Sequence, residues 1–190
     1  MCEKDNCVSG TPLSPRTPGV LADELDVYRE NVARLADLNS TEVFSNGKAE
    51  HAAIIFETFF QRANRRVIFF CQNLSRDVFA RPGLRIQMQE ALRKNIAVDF
   101  LIQSPPESED LEGAIQNWQA DGLPVNLIVA KNPTVQNLSS NFAVMDGKAY
   151  RFEENRGEKK AVACMNGVAS AKGLVSLFGI LKGYEEAATA

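Results

Sequence analysis

Apolar residues recur at helical spacing through the first part of the chain. Between residues 21 and 38, six apolar or aromatic side chains are separated by acids and arginines at intervals of three or four, which predicts an amphipathic helix. After a short extended stretch at 41–46, residues 47–64 repeat this spacing and place Ala52, Ile55, Phe56 and Phe59 on one face,. Two helices, each with one apolar face, are therefore expected before the first long strand.

Three continuous apolar runs follow, at residues 65–74, 96–104 and 123–131. Such runs are typical of strands that are buried on both faces of a parallel or mixed sheet. Helical patterns separate them, one at 83–95 with Ile86, Ala91 and Leu92 predicted to face inward, and one at 110–122. Because crossover helices must cover both faces of such a sheet, the alternation predicts an α/β fold with a central mixed, mainly parallel sheet flanked by helices.

The pattern changes after residue 137. Residues 141–146 and 148–153 read as an antiparallel pair of strands, with a turn at Asp146 and Gly147, because Asp-Gly favours a two-residue hairpin turn. A further strand is predicted at 159–166 and a final helix at 169–187. One face of that helix is predicted to carry Leu174, Leu177, Phe178, Leu181 and Tyr184,.

The length and composition fit one folded domain with a short tail. The chain has 190 residues, of which 45% are hydrophobic, enough for one core. Residues 1–20 are rich in proline, serine and threonine, and such a segment buries too little apolar surface to become ordered. We therefore predict a disordered tail at 1–20 and a single α/β domain at 21–190.

Basic residues are concentrated in one part of an acidic chain. The net charge is −3, yet residues 60–95 contain eight arginines and lysines and only two acids. A basic block of this kind attracts phosphate groups, and the alternative is a solvated helix face without a ligand. The candidate phosphate-facing residues are Arg62, Arg65, Arg66 and Arg76.

Two amides follow the first buried strand directly. Gln72 and Asn73 stand at its predicted carboxyl end, where open α/β sheets place their ligand crevices. Their side chains suit a phosphate or the edge of a base, and a structural cap on the next helix is the equally good alternative.

The remaining chemistry excludes several classes of site. The four cysteines and the single histidine, His51, show no metal-binding spacing,, so we expect neither a metal nor another cofactor. Cys71 and Cys164 lie inside apolar runs, which indicates a reducing compartment and cytoplasmic location. No apolar run approaches the length of a membrane-spanning helix,, so no membrane partner is expected.

The order of elements over residues 44–187 resembles one half of a phospholipase D superfamily protein. The resemblance rests on three stretches, residues 51–75, residues 86–103, and residues 141–152 together with 161–178. It implies the motif His-x-Lys-x4-Asp, in which a histidine attacks phosphorus and a lysine neutralises the phosphoryl oxygens. With Asp146 on the motif aspartate, Ser139 stands at the histidine position and Asn141 at the lysine position. The Gly-Ser-x-Asn segment that usually follows is also missing, so the motif is degenerate and no catalytic residue is assigned.

Three hypotheses about function follow. The leading one is a catalytically inactive phospholipase D-like module with a binding or regulatory role, which uses a basic surface that faces phosphate or nucleic acid. The resemblance implies that it assembles as a homodimer. The second hypothesis is a protein–protein interaction subunit whose basic block contacts an acidic partner. The third is a phosphodiesterase or nuclease with a nonstandard nucleophile, for which His51 is the candidate, although a surface or helix-terminal histidine explains it more simply,.

Overall fold

The helices and strands follow the predicted alternation closely. The computed structural model describes residues 23–156, 158 and 160–189, so the tail predicted at 1–20 lies outside the described residues. The elements, in chain order, are α1 Glu24–Asp37, β1 Val43–Asn46, α2 Ala49–Arg62, β2 Arg66–Cys71, α3 Arg76–Phe79, α4 Pro82–Arg93, β3 Ala97–Ile102, α5 Glu109–Ala120, β4 Val125–Val129, α6 Pro133–Gln136, β5 Asn141–Met145, β6 Ala149–Glu153, β7 Ala161–Cys164 and α7 Val168–Thr189.

Seven strands form one mixed sheet in the order β1-β7-β6-β5-β2-β3-β4. Strands β2, β3 and β4 are parallel, as expected for strands joined by crossover helices. The pairs β2–β5, β5–β6, β6–β7 and β1–β7 are antiparallel. The α/β class and the mixed, helix-flanked sheet are therefore confirmed, and β2 is the strand at which the parallel and antiparallel parts meet.

Helices cover both faces of the sheet and create two apolar layers. One layer contains buried residues from α1 to α5, including Phe59 and Met88, and the other contains residues from α6 and α7, including Phe178. The side chains of β2 alternate between them, since Phe69 belongs to the first layer and Phe70 to the second. This alternation explains why β2 is apolar at successive positions.

Two residues predicted to face the core are exposed. Ile86 is 53% exposed, because the buried face of α4 is formed by Leu84, Met88, Ala91 and Leu92, and Ile86 lies on the opposite side of the helix. Tyr184 is 47% exposed. Glu185 is buried in its place, because its carboxylate accepts hydrogen bonds from backbone N–H groups that precede α6.

Candidate ligand-binding site

A cavity of about 580 Å³ opens at the carboxyl end of β2. It is bordered by the start of α2, the segment from the end of β2 to α3, the start of β5 and the end of β6. Phe56 and Phe79 contribute apolar wall, and Asn141, Arg151 and Glu153 contribute polar wall. Ligand sites of α/β proteins commonly lie at this edge of the sheet.

A hydrogen-bonded cluster crosses the cavity floor. The Asn141 side chain accepts a hydrogen bond from the backbone N–H of Gln72 through Oδ1 at 3.0 Å, and its Nδ2 donates to Glu153 Oε2 at 3.0 Å. Glu153 Oε2 lies 3.5 Å from Arg151 Nη1. Residues 151 and 153 share one face of β6 because side chains alternate along a strand. The residue at the motif's lysine position is thus tied into the sheet.

Arg151 is the most deeply placed cation of the cavity. It is 8% exposed, its Nε donates to Asn46 Oδ1 at 2.8 Å, and its guanidinium lies 5.7 Å from the centre of the Phe56 ring. Burial lowers the pKa of Arg151, and the neighbouring Glu153 carboxylate opposes that shift,. Arg151 and Glu153 therefore form an ion pair in which the Asn46 amide contacts the guanidinium and the Asn141 amide contacts the carboxylate.

The other motif positions lie apart from this cluster. Ser139 precedes β5, and its hydroxyl donates to the carbonyl oxygen of Glu154 at 3.4 Å. Asp146 lies at the far end of β5, in the β5–β6 turn, where Asp146 and Gly147 have φ values of +53° and +66°. Its carboxylate accepts hydrogen bonds from the backbone N–H groups of residues 64, 65 and 66 at 2.8–2.9 Å. Asp146 therefore anchors the hairpin to the start of β2.

Gln72 and Asn73 lie at the cavity, where the sequence predicted them. The Asn73 amide donates to Glu107 Oε1 at 2.8 Å, and Glu107 Oε2 accepts a hydrogen bond from the backbone N–H of Arg76 at 2.9 Å. Asn73 thus supports the cap of α3 through Glu107. Gln72 is exposed, and its side-chain amide makes no hydrogen bond within the described part of the chain.

The four predicted phosphate-facing arginines do not form one surface. Arg62, Arg65 and Arg66 surround the start of β2, whereas Arg76 follows its end, and the six residues of β2 separate the two places by about 17 Å at the usual rise per residue. Arg62 pairs with Asp37 and Arg66 with Asp99, each at 2.7 Å. Arg65 and Arg76 are exposed, and among the described residues neither side chain forms an ion pair.

His51 lies in the first turn of α2 and is half-buried. Its ring stacks on Tyr28 with 4.0 Å between the ring centres. His51 Nε2 and the Tyr28 hydroxyl are buried and have no hydrogen-bond partner among the described residues. Burial raises the pKa of Tyr28 to about 12. His51 and Ser139 border a second, open cavity of about 1060 Å³, but the Ser139 hydroxyl donates to a carbonyl and is not held by a base.

Sequence reasoning missed Asn46, Cys71, Arg151 and Glu153 as members of this site. The available signal was the charged pair at alternate positions of an otherwise apolar strand, which places both charges on one buried face,. Cys71 is half-buried beside the cavity, and burial raises the pKa of its thiol to about 12. The thiol is therefore protonated at neutral pH and is a poor nucleophile.

No protein-family model matches the sequence, and no curated protein sequence matches it. Similar solved structures exist. Nuc from Salmonella typhimurium, a phospholipase D family member, is similar with a TM-score of 0.54 at 12% identity, over 75% of this chain and 93% of that one. NucT from Helicobacter pylori is similar with a TM-score of 0.53 at 11% identity, over 75% of this chain and 95% of that one.

A third similar structure is TrmBL2, an archaeal chromatin protein that binds DNA. Its TM-score is 0.52 at 12% identity, over 84% of this chain, which spans 60% of that protein. The chain thus has a phospholipase D-like fold, as the sequence predicted. Within the described residues, no helix combines the length and apolarity needed to cross a bilayer, and no group of three or more metal-binding side chains occurs.

Proposed function

We propose that this chain is a phospholipase D-like module that binds a phosphate-bearing ligand, with nucleic acid as the first candidate, and does not cleave it. The observation that carries the proposal is the environment of the two reactive motif positions. Asn141 is held by the Gln72 backbone and by Glu153, and Ser139 donates to a carbonyl. A nucleophile needs a base to take its proton and a cation to stabilise the phosphoryl oxygens, and neither residue has that arrangement.

The similar structures support binding as the remaining activity. TrmBL2 is an archaeal chromatin protein that binds DNA, and its structure is similar to 84% of this chain. Its example makes nucleic acid a reasonable ligand for a chain of the same fold. The binding role of this chain rests on that analogy together with its own exposed arginines.

We propose that Arg65 contacts the phosphate groups of the ligand. Its guanidinium is exposed and unpaired among the described residues, whereas neighbouring Arg66 is neutralised by Asp99 at 2.7 Å. Lys148 lies in the adjoining β5–β6 turn and adds a second, partly exposed cation, whose Nζ donates to Asn39 Oδ1 at 3.4 Å. An exposed cation without a partner can replace a counterion on a phosphate chain, and the binding that results weakens with salt.

Fluorescence polarisation with labelled single-stranded and double-stranded DNA and RNA over a salt series tests this assignment. We expect Arg65→Glu to weaken binding about tenfold at low salt and to reduce the salt slope by about one. Arg76→Glu, a matched exposed arginine at the opposite end of β2, is expected to have little effect. Equal binding by wild type and Arg65→Glu would rule out Arg65 as part of the binding surface. Absence of any nucleic-acid binding would instead favour a protein partner.

We further propose a homodimer and a cytoplasmic location. The homodimer follows from the superfamily resemblance, in which single-motif members pair two copies. Sedimentation equilibrium is expected to give twice the chain mass of 20.9 kDa, and a monomer at every accessible concentration would contradict the homodimer.

The cytoplasmic proposal is supported by Cys71 and Cys164, which are both free thiols,.

A further inference from the structure

We propose that the cavity at the carboxyl end of β2 binds a neutral, planar heterocycle with the hydrogen-bonding edge of a nucleobase. The proposal concerns a different place from Arg65, which lies at the opposite end of β2. It therefore goes beyond the proposed phosphate contact, and each of the two can fail without the other.

The charge of the cavity argues against a phosphate in this place. Its lining contains four carboxylates, those of Glu50, Asp77, Glu107 and Glu153, against three cations, Lys48, Arg151 and Arg156. The most deeply buried cation, Arg151, is already paired with Glu153. A phosphate in the cavity would face the Glu153 carboxylate in a poorly solvated space, where like charges repel strongly. A neutral ligand avoids that cost.

The polar groups of the cavity offer both donors and acceptors. Among the described residues, the Gln72 side-chain amide makes no hydrogen bond, and neither Glu153 Oε1 nor the side-chain oxygen of Asn73 accepts one. Amide and carboxylate groups of this kind form paired hydrogen bonds with the edges of adenine and cytosine. A ligand with only acceptors, such as phosphate, would leave these acceptors unsatisfied.

The shape and the apolar walls suit a planar ring. The volume of about 580 Å³ lies within the range of small-molecule sites. Phe56 and Phe79, whose side chains lie on the same face of the sheet as Arg151, border it, and aromatic side chains pack favourably against a flat ring system. An aromatic wall together with a mixed set of hydrogen-bonding groups is the combination that a nucleobase requires.

Isothermal titration calorimetry with adenosine, guanosine, cytidine and uridine, each compared with its 5′-monophosphate, tests the proposal. We expect at least one nucleoside to bind, with no gain in affinity from its phosphate. Gln72→Leu, which removes an exposed amide and leaves the fold intact, is expected to weaken that binding about tenfold. Gln61→Leu is the matched control, because Gln61 is also exposed but lies at the end of α2, next to the start of β2.

A second variant tests the cavity without depending on one amide. Ser75→Trp places a large ring at the cavity rim, where Ser75 makes no side-chain cap for α3, and is expected to abolish nucleoside binding without lowering the melting temperature. Three results would overturn the proposal: no binding of any of the four nucleosides at about 5 mM, binding that the monophosphate strengthens tenfold or more, or equal binding by wild type and both variants. Arg65→Glu is expected to leave nucleoside binding unchanged, which separates this test from that of the proposed function.

Discussion

The Asp146 carboxylate is held in place by hydrogen bonds that it accepts from three backbone N–H groups at the start of β2. It also occupies a left-handed backbone conformation with φ of +53°, which aspartate tolerates better than most residues. These two properties explain an aspartate at this point by its structural role. The hairpin turn was predictable from Asp-Gly, whereas the contact with residues 64–66 was not, because it joins segments about 80 positions apart.

Replacement of Asp146 separates these two properties. We expect Asp146→Ala to lower the free energy of unfolding by about 2–4 kcal/mol, since it loses the charge-assisted hydrogen bonds and strains the turn. Asp146→Asn keeps one acceptor oxygen and tolerates the left-handed conformation, so a loss of about 1 kcal/mol is expected. Urea unfolding measures both values. A stability of Asp146→Ala equal to that of wild type would contradict the anchoring role.

The buried phenol of Tyr28 makes the folding stability depend on pH above pH 10,. The folded state holds the pKa of Tyr28 at about 12, above its ordinary value of 10, so it retains the phenol proton at a pH where the unfolded chain releases it. The stability that depends on the protonated phenol of Tyr28 is fully present below pH 10 and is lost as the pH rises towards 12. Cys71 acts in the same direction, from its ordinary value of 9 to about 12.

Tyr28→Phe is therefore expected to reduce the fall in stability between pH 10 and 12. At pH 7 the variant should be as stable as wild type or slightly more stable, because the hydroxyl that it removes is buried without a partner among the described residues,. Urea unfolding at pH 7 and at pH 11 measures both effects. A clear loss of stability at pH 7 would show that the hydroxyl has a partner after all.

Strand β2 joins the parallel and antiparallel parts of the sheet. Its side chains alternate between two apolar layers, and it pairs in parallel with β3 and in antiparallel with β5. The continuous apolar run of 65–74 predicted such a strand, because burial on both faces removes the polar alternation. The pairing of β1 with β7 was not predictable, because Val43 meets Cys164 across more than a hundred positions and no local period records that.

The entry into α7 depends on a close approach that only glycine permits. A Cβ on Gly167 would lie 2.4 Å from Cε1 of Tyr150, a buried residue of β6. We expect Gly167→Ala to lower the free energy of unfolding by about 1–3 kcal/mol. Gly173→Ala, inside the same helix with open space around it, is the control and should raise stability by about 0.5–1 kcal/mol. Equal effects of the two substitutions in thermal unfolding would contradict the packing argument.

The two ends of strand β2 lie in regions with different side chains. The exposed Arg65 lies at the start of β2, and the cavity with Arg151 and Glu153 lies at its carboxyl end. The basic block in the sequence suggested one surface, because a linear count of charge does not show that a strand separates its two parts. Arg62 and Arg66, two of the predicted phosphate-facing residues, each pair with an aspartate from another element.

We propose above that this phospholipase D-like chain binds phosphate-bearing ligands without cleaving them. The most direct test is to incubate labelled single-stranded DNA with protein at a concentration that saturates binding and to follow the DNA length over a day. We expect the DNA to stay bound and intact. Cleavage that copurifies with the protein and disappears in His51→Ala would contradict it, and would make the chain a phosphodiesterase with a nonstandard nucleophile.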